Sequence, residues 1–392
     1  MPQVVDLRQS TSSVEVVDET CAALRRSELV GLPSETRYLL GGSAVRQASA
    51  RKLVDSAAHH GTESAVLLLP HLDALSDFVE TIPLAVERLL SRCWPGPVVI
   101  RIGESAAGAF ADLAPAAQQL LSRSRVPVCV PAHPFLRRLT ELYEEPILAI
   151  ISSLPDGKTW SDSDGLEVAR IHAAELELVV DAGPPRHPQG PTLIDLEMSG
   201  SEGDNLVETV QAGWKLIKEG VVAESMLNRL SSTMVLFVCT GNTCRSPMAE
   251  GLFRKLLSDR LNCPPDEISQ KGYLVLSGGV SAVSGMPAAP EAIRLLEAEQ
   301  VDLRDHSSQP VTEDLLAQAD HVLAMTAGHL DTLYNEFPLY RGKMRMLSPE
   351  QDISDPIGRG WSVYQECGAE IRAALEIFLD ELLRENGKAP SK

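Results

Sequence analysis

One stretch near the middle of the chain constrains its fold more than any other. The apolar run VLFV at 235–238 is followed at once by the polar loop CTGNTCRSP and then by a helical pattern that Pro247 opens. Strand, tight loop and helix form an anion cradle, because loop N–H groups point inward and the helix N-terminus adds positive potential. Gly241 and Asn242 suit the left-handed conformations that such a loop requires. The stretch therefore predicts a phosphate-binding loop on an α/β sheet.

The residues after this loop continue the alternation of strands and helices. YLVLSGG (273–279) and HVLAM (321–325) read as strands, and PEAIRLLEAEQV (290–301) reads as a helix. A longer last helix carries one apolar face at a spacing of three or four residues, formed by Tyr364, Cys367, Ile371, Leu375, Phe378 and Leu382. This order predicts an α/β fold with a parallel sheet between two helical layers, and ligands at the carboxyl ends of its strands.

The length of 392 residues favours two domains. A seam lies at RLSSTM (229–234), after a helical pattern that runs from 206 to 230. Met234, directly before an apolar strand, resembles the start of a free-standing protein. We predict one domain at residues 1–228 and another at 234–392, joined by a short polar linker.

Composition excludes several classes of function. Lys and Arg total 35 against 54 Asp and Glu, for a net charge of −19, which argues against a nucleic-acid partner. The N-terminus lacks a signal pattern and no apolar run has membrane-spanning length, which predicts a cytoplasmic protein without a membrane partner. Seven scattered cysteines do not suggest a disulfide framework, and the pair Cys239 and Cys244 lacks two further zinc ligands. We expect no metal and no cofactor.

Two residues of the loop point to nucleophilic chemistry. Cys239 lies at the mouth of the positive field and should be a thiolate near neutral pH. Arg245, six residues on, can clamp two phosphate oxygens with its guanidinium fork. Cys244 has two interpretations, a buried loop residue or a partner that traps an oxidised Cys239 as a reversible disulfide. Both stay open at this point.

VCTGNTCRSPMAE resembles the phosphate-binding loop of the low-molecular-weight protein tyrosine phosphatases. Ser277, His306, the LAMT segment and Asp355-Pro356 follow in family order. The resemblance implies that Cys239 attacks phosphorus to form a cysteinyl-phosphate, that Arg245 stabilises the transition state, and that Asp355 is the general acid and then the base, with Asp352 as its rival. It also implies a phosphoprotein substrate. The implied phosphate-binding residues are Thr240, Gly241, Asn242, Thr243, Cys244, Arg245 and Ser246. The implied supporting polar residues are Ser277 and His306.

The resemblance leaves the substrate between phosphotyrosine and phosphoarginine. Ile357, Gly358 and Arg359 stand where tyrosine-specific members commonly place aromatic residues, so the wall for a phenol ring looks thin. Thr243 occupies a position that is usually apolar in those members, and the loop looks most similar to that of bacterial protein-arginine phosphatases. This favours phosphoarginine slightly. An arsenate reductase is the alternative, but the segment HSSQPVTEDLLAQAD lacks the two cysteines of its thioredoxin-coupled members.

Residues 12–228 resemble the threonylcarbamoyl-AMP synthase (YrdC-like) fold, a twisted α/β sheet, through LPSETRYLLG, CWPGPVVI, VCVPAHPF, PILAIISSL and VVDAGP. Pro33, Glu35, Thr36 and Tyr38 keep part of the pocket. The family's Lys-x-Arg stretch is replaced by AAHHGTESAV, Cys129 replaces an arginine, and Ser152-Ser153-Leu154 replaces Ser-Ala-Asn. We therefore expect a degenerate domain that binds a nucleotide or small molecule and regulates the enzyme; the alternative is a bifunctional protein that keeps the synthase activity in tRNA modification.

Overall fold

The computed structural model describes residues 1–9, 13–61, 65–103, 109–121, 125–151, 164–197 and 213–386. The chain divides into two compact units, Met1–Leu227 and Asn228–Lys392. Among the described residues, no helix combines the length and the apolar character of a membrane span. Ser152-Ser153-Leu154, residues 206–212 and the C-terminal residues from 387 lie outside the described ranges.

The first unit is built on one mixed sheet of ten described strands, in the order β1-β8-β2-β3-β7-β4-β6-β5-β9-β10. The strands are β1 (Gln3–Asp6), β2 (Leu29–Pro33), β3 (Tyr38–Ser43), β4 (Ala65–Leu68), β5 (Val98–Gly103), β6 (Arg125–Cys129), β7 (Ile147–Ile151), β8 (Leu176–Asp181), β9 (Thr192–Leu196) and β10 (Trp214–Lys218). The helices are α1 (Ser13–Arg25), α2 (Gln47–His60), α3 (Leu84–Cys93), α4 (Pro115–Leu120), α5 (Pro134–Leu142), α6 (Gly165–Ile171) and α7 (Glu224–Ser231). Apolar side chains of α1 and α5 pack on one face of this sheet and form its core.

The end of this unit differs from the sequence-based expectation of one long helix. Residues 214–218 form β10, an edge strand that pairs antiparallel with β9, and only 224–231 are helical. Gly213 has a φ of 68°, which a helix cannot accommodate. Pairing with β9 therefore overrides a local pattern that had helical period. Between the two predicted domains, where the sequence suggests a short polar linker, α7 reaches Ser231 and β11 begins at Thr233.

The second unit has a parallel sheet of four described strands in the order β12-β11-β13-β14. Its elements are β11 (Thr233–Cys239), α8 (Arg245–Leu261), β12 (Tyr273–Gly279), α9 (Pro290–Ala298), α10 (Glu313–Gln318), β13 (His321–Ala324), α11 (Ala327–Glu336), β14 (Met344–Met346) and α12 (Trp361–Glu385). Short 3-10 turns lie at Pro265–Glu267 and Pro338–Lys343. The predicted parallel α/β architecture is confirmed.

The central strand β11 explains why this sheet has helices on both faces. Val235 and Phe237 point to a core shared with α8, α9 and α12, whereas Leu236 and Val238 point to a core shared with α10 and α11. All four side chains are fully buried. A continuous apolar strand of this kind is typical of a parallel sheet covered on two sides, and its carboxyl end opens at Cys239.

Candidate active site

The loop of residues 240–244 connects the carboxyl end of β11 to the N-terminus of α8. Cys239 is the last residue of the strand, and Arg245 is the first of the helix. The main chain directly after β12 supports the loop, since Val280 N–H donates to Cys239 O and Ser281 N–H to Thr240 O, each at 2.9 Å. The predicted loop residues are therefore together at the ligand-binding edge of the sheet.

Two polar groups face the sulfur of Cys239, which is buried. Ser246 Oγ lies 3.0 Å from Sγ, and the backbone N–H of Asn242 donates to Sγ at 3.3 Å. Ser246 Oγ also accepts from Asn242 Nδ2 at 3.0 Å, which leaves its own hydrogen for the sulfur or for Gly278 O, 3.2 Å away. Both contacts fix the position of the sulfur at the start of the loop.

Asn242 holds the loop in shape from inside. Its φ is 55°, in the left-handed region, and it is completely buried. Its Nδ2 donates to Ser277 Oγ at 2.8 Å, its Oδ1 accepts from Gln309 N–H at 2.9 Å, and its backbone oxygen lies 2.8 Å from His306 Nε2. The structure thus places both supporting residues, Ser277 and His306, against the same asparagine.

Sequence reasoning missed the acid at the end of this network. Ser277 Oγ donates to Glu250 Oε2 at 2.6 Å. Burial raises the pKa of Glu250, although the hydrogen bond from Ser277 and the charge of Arg254 oppose this effect. Glu250 lies in the segment PMAE next to the loop, but nothing in its spacing distinguishes it from an ordinary acidic residue on a helix.

The guanidinium of Arg245 meets the late carboxylate that the motif order indicated. Arg245 Nη2 donates to Asp355 Oδ2 at 2.9 Å, and Nη1 donates to Ile353 O at 3.4 Å. The arginine side chain is 7% exposed and that of Asp355 is 47% exposed, so the carboxylate faces solvent at the mouth of the loop. Asp352 instead accepts from Ala327 N–H at 2.7 Å, at the N-terminus of α11. The two carboxylates therefore have different surroundings.

A histidine that sequence reasoning missed supports the loop from the other side. His329 Nε2 lies 2.8 Å from Thr240 Oγ1, and its Nδ1 lies 2.9 Å from Thr326 Oγ1. Burial and, secondarily, the charge of Arg245 lower the pKa of His329. Thr326 also caps α11, which fixes the ring at the point where β13 ends. The quoted LAMT segment ends in this threonine, but no local pattern pairs the histidine with the loop.

Cys244 faces the interior below the loop. Its Sγ lies 3.4 Å from Tyr364 Oη and 3.7 Å from Thr243 Oγ1. Burial and the contact with Cys244 raise the pKa of Tyr364. Cys367, one turn further along α12, is fully buried, and burial raises the pKa of its thiol to about 12. Neither Tyr364 nor Cys367 had been assigned to the site from the sequence.

The rim of the loop is open on the side that follows Asp355. Ile357 is 65% exposed, and its N–H donates to Asp355 Oδ1 at 3.2 Å. Thr240 is exposed as well, whereas Thr243 is half-buried. Within the described part of the second unit, no three His, Cys, Asp or Glu side chains bring ligand atoms within 4.8 Å of one another.

The first unit contains a separate cavity of about 360 Å³ on its sheet. The hairpin between β2 and β3 contributes Glu35, Thr36 and Arg37 to its lining, and Cys129 contributes from β6. Pro33 and Tyr38, also expected at this pocket, are not among its lining residues; Tyr38 Oη instead donates to Asp181 Oδ1 or Gly183 O, each 2.9 Å away.

Polar groups around this cavity are only partly satisfied. Glu35 accepts from Ala132 N–H and His133 N–H at 3.2 Å each, so it holds the two residues directly before α5. Arg101 is neutralised by Asp195, with Nε to Oδ1 at 2.5 Å and Nη2 to Oδ2 at 2.9 Å. By contrast, Arg37 Nε is buried and lacks a hydrogen-bond partner among the described residues. The cavity thus carries a cation that the sequence comparison had not indicated.

Comparisons with known proteins match the two units to different families. Residues 234–388 match the family model described as low molecular weight phosphotyrosine protein phosphatase. The chain is 37% identical over 163 residues to "Protein-arginine-phosphatase" of Bacillus subtilis (strain 168), an alignment that covers 40% of this chain and 97% of that protein. Through its second unit, the chain belongs to the low molecular weight phosphotyrosine protein phosphatase family. This phosphatase is therefore a cysteine-dependent hydrolase.

Two further relatives match the second unit of this phosphatase, and a second family model matches its first unit. It is 30% identical over 150 residues to "Probable low molecular weight protein-tyrosine-phosphatase EpsP" of Ralstonia nicotianae, covering 38% of this chain and 94% of that protein. It is also 30% identical over 144 residues to "Arsenate reductase 2" of Staphylococcus haemolyticus, covering 37% and 94%. Residues 22–204 match the Sua5–YciO–YrdC family model, described as telomere recombination. The expected YrdC-like first domain is confirmed.

Proposed function

We propose that the second unit hydrolyses a phosphoprotein, at phosphoarginine or phosphotyrosine, through a cysteinyl-phosphate on Cys239. The observation that carries this proposal is the set of groups around one sulfur. Cys239 Sγ has Ser246 Oγ at 3.0 Å and an N–H donor at 3.3 Å, while Arg245 and Asp355 pair at 2.9 Å at the mouth of the same loop. These are a nucleophile, its stabilising donors, an anion clamp and an acid.

The first chemical step transfers the phosphoryl group to sulfur. The phosphoryl oxygens replace Asp355 as the acceptor of the Arg245 Nη2 hydrogen bond, and they also accept from the loop N–H groups. The thiolate of Cys239 then forms the S–P bond as the P–O or P–N bond of the substrate breaks, and the protonated Asp355 gives its proton to the leaving oxygen or nitrogen. The dephosphorylated protein leaves, and the cysteinyl-phosphate remains.

The second step returns the enzyme to its starting state. The Asp355 carboxylate takes a proton from a water molecule as the water oxygen attacks phosphorus and the S–P bond breaks. Inorganic phosphate leaves, and the thiolate regains the hydroxyl of Ser246 and the N–H of Asn242. Asp355 fits this role better than Asp352, because the latter is engaged by the N-terminus of α11.

The substrate preference leans towards phosphoarginine. Thr243 supplies a hydroxyl within the loop that follows the nucleophile. Ile357 is exposed, so it forms little of a side wall against which a phenol ring could pack. The identity of 37% to a protein named as an arginine phosphatase supports the same preference. An arsenate reductase role is weaker, since the four cysteines of this unit offer Cys263 and Cys367 beyond the loop, and Cys367 is fully buried in the core.

Phosphate release from phosphoarginine and phosphotyrosine peptides, measured side by side, tests the proposal. We expect release from the wild-type protein and none from Cys239→Ser. Thr243→Ile should shift the ratio of the two rates towards phosphotyrosine; an unchanged ratio would remove the reason for the preference. No release from either peptide by a folded protein would show that the loop only binds anions.

For Cys244 we propose a protective role under oxidation, since it is the last residue of the five-residue loop that follows the nucleophile. An oxidised Cys239 that forms a disulfide with Cys244 is reduced again, whereas further oxidation of a lone sulfur is irreversible. Activity recovered with a thiol after peroxide treatment should therefore fall in Cys244→Ser. Equal recovery in both proteins would leave Cys244 as a buried loop residue.

For the first unit we propose binding of an anionic nucleotide or small molecule without synthase activity. Arg37 Nε is buried, lacks a hydrogen-bond partner among the described residues and belongs to the lining of a cavity of about 360 Å³, which supports binding. The loss of the Lys-x-Arg stretch argues against the synthase reaction. The full chain should give no threonylcarbamoyl-AMP from threonine, bicarbonate and ATP. ATP and AMP should bind in equilibrium dialysis, and Arg37→Leu should weaken them; product formation would instead establish a bifunctional enzyme.

We also propose a cytoplasmic location. All seven cysteines are free, and a thiolate nucleophile requires a reducing compartment to stay active. Cell fractionation should recover the protein with cytoplasmic markers, and recovery elsewhere would contradict this.

A further inference from the structure

Three histidines and one glutamate meet in the first unit, away from its cavity. α2 ends at His60, and the segment after α6 supplies His172 and Glu175. The imidazole rings of His59 and His60 lie 4.7 Å apart between centroids, and those of His60 and His172 lie 4.3 Å apart. Neither the phosphatase loop nor the cavity uses any of these side chains.

The two oxygens of Glu175 have different partners. Oε2 accepts from Ser56 Oγ at 2.6 Å and lies 3.2 Å from His172 Nδ1. Oε1 lies 2.9 Å from His60 Nε2. Burial opposes ionisation of Glu175, but the hydrogen bonds from Ser56, His60 and His172 outweigh it and hold the pKa of the carboxyl below its ordinary value. One oxygen is thus fixed by the protein, and the other is directed at an imidazole.

One of these distances matches that between neighbouring ligands of one metal ion. Bonds of about 2.0–2.2 Å from a divalent ion to imidazole nitrogen and carboxylate oxygen put neighbouring ligand atoms roughly 3 Å apart. His60 Nε2 and Glu175 Oε1 already have this separation, at 2.9 Å. Ligand atoms of His59, His60 and Glu175 all lie within 4.8 Å of one another. His59 is exposed, so its side chain has room to rotate towards the other two.

We propose that His59, His60 and Glu175 bind one divalent transition-metal ion such as Zn²⁺, Co²⁺ or Ni²⁺. Two imidazoles and a carboxylate bind these ions in preference to Mg²⁺ and Ca²⁺, which take oxygen ligands. Ser56 and His172 hold the second carboxylate oxygen and so orient the ligand. The C-terminus of α2 adds negative potential beside the cation.

Titration of the full-length protein with Co²⁺ tests this proposal. The sample is made without an affinity tag, since a histidine tag would bind the ion. It carries Cys239→Ser and Cys244→Ser as background substitutions, so that these two cysteines do not compete as ligands. We expect one equivalent of Co²⁺ to bind, with visible d–d absorption but without a sulfur-to-cobalt charge-transfer band. Zn²⁺ should displace it.

Variants locate the ion. His59→Ala and Glu175→Gln should each weaken Co²⁺ binding at least about tenfold, and Ser56→Ala should weaken it by a smaller factor. His187→Gln, a histidine of the same unit outside the cluster, is the matched control and should bind as before. Because His59 is exposed, its variant keeps the fold, which circular dichroism verifies.

The proposal is overturned if His59→Ala and Glu175→Gln bind Co²⁺ as tightly as the background protein. It is also overturned if no saturable binding occurs up to millimolar Co²⁺, or if His187→Gln loses binding to the same extent as His59→Ala. The cluster would then be a polar contact that joins the ends of α2 and α6.

Discussion

Replacing Asn242 separates two contributions to the shape of the phosphate loop. Its side chain makes three hydrogen bonds, to Ser246, Ser277 and the N–H of Gln309, and its φ is 55°. Asn242→Gly removes the bonds but tolerates the conformation, so at about 1 kcal/mol per bond it should cost about 3 kcal/mol of stability. Asn242→Ala adds the left-handed strain of a residue with a Cβ, about 1–2 kcal/mol more.

Native-state hydrogen exchange with mass spectrometry measures this cost in the full chain. The slowest amides of β11 and β12 report the free energy of opening of the second unit. Amides of β3 and β8 report the first unit and should not change, which makes them an internal control. A glycine variant that costs less than about 1 kcal/mol would refute the hydrogen-bond argument. Equal losses for glycine and alanine would refute the strain argument.

Three further predictions follow from individual contacts. Asp355→Asn should lower kcat about 10²–10⁴-fold, least for aryl phosphates with good leaving groups, whereas Asp352→Asn should change it little; the reverse order would reassign the acid. Burial lowers the pKa of His133 from 6.5 to about 4, so its contribution of up to about 3 kcal/mol is present above pH 6.5 and lost as pH falls towards 4. His133→Leu should flatten that dependence in urea titrations of the first unit, and an unchanged slope would contradict it. Gly279→Ala would put a methyl 2.5 Å from a carbonyl oxygen of the loop and should reduce kcat/KM about a hundredfold, whereas Gly342→Ala meets nothing within 4 Å and should match wild type in phosphate release.

The phosphatase unit could be predicted well because its signals are local. The apolar run at 235–238, the Gly-Asn pair and the helix that follows lie within thirty residues, and each agrees with the same strand–loop–helix unit. Parallel pairing of β11 with β12 and β13 then follows from the alternation of elements. The helix predicted over the residues of β10 was wrong for the opposite reason. Antiparallel pairing with β9, which is not a local signal, decides their conformation.

Parts of the site were hidden because their contacts are distant in sequence. His329 meets Thr240 across 89 residues, and nothing near either residue records the contact. The Asp-Pro pair favours Asp355 over Asp352 in the sequence, but the contacts that distinguish them, with Arg245 and with the N-terminus of α11, could not be read from it. The same holds for Arg37, whose burial depends on how the hairpin packs in the first unit.

The buried chain from Glu250 through Ser277 to Asn242 has a consequence for turnover. It holds the loop N–H groups in place before any anion arrives, so binding costs little ordering of the backbone. A rigid cradle of this kind fits free phosphate as readily as a phosphoryl group attached to protein. The released product should therefore compete with the next substrate, and the cellular concentration of inorganic phosphate would set how fast the enzyme works.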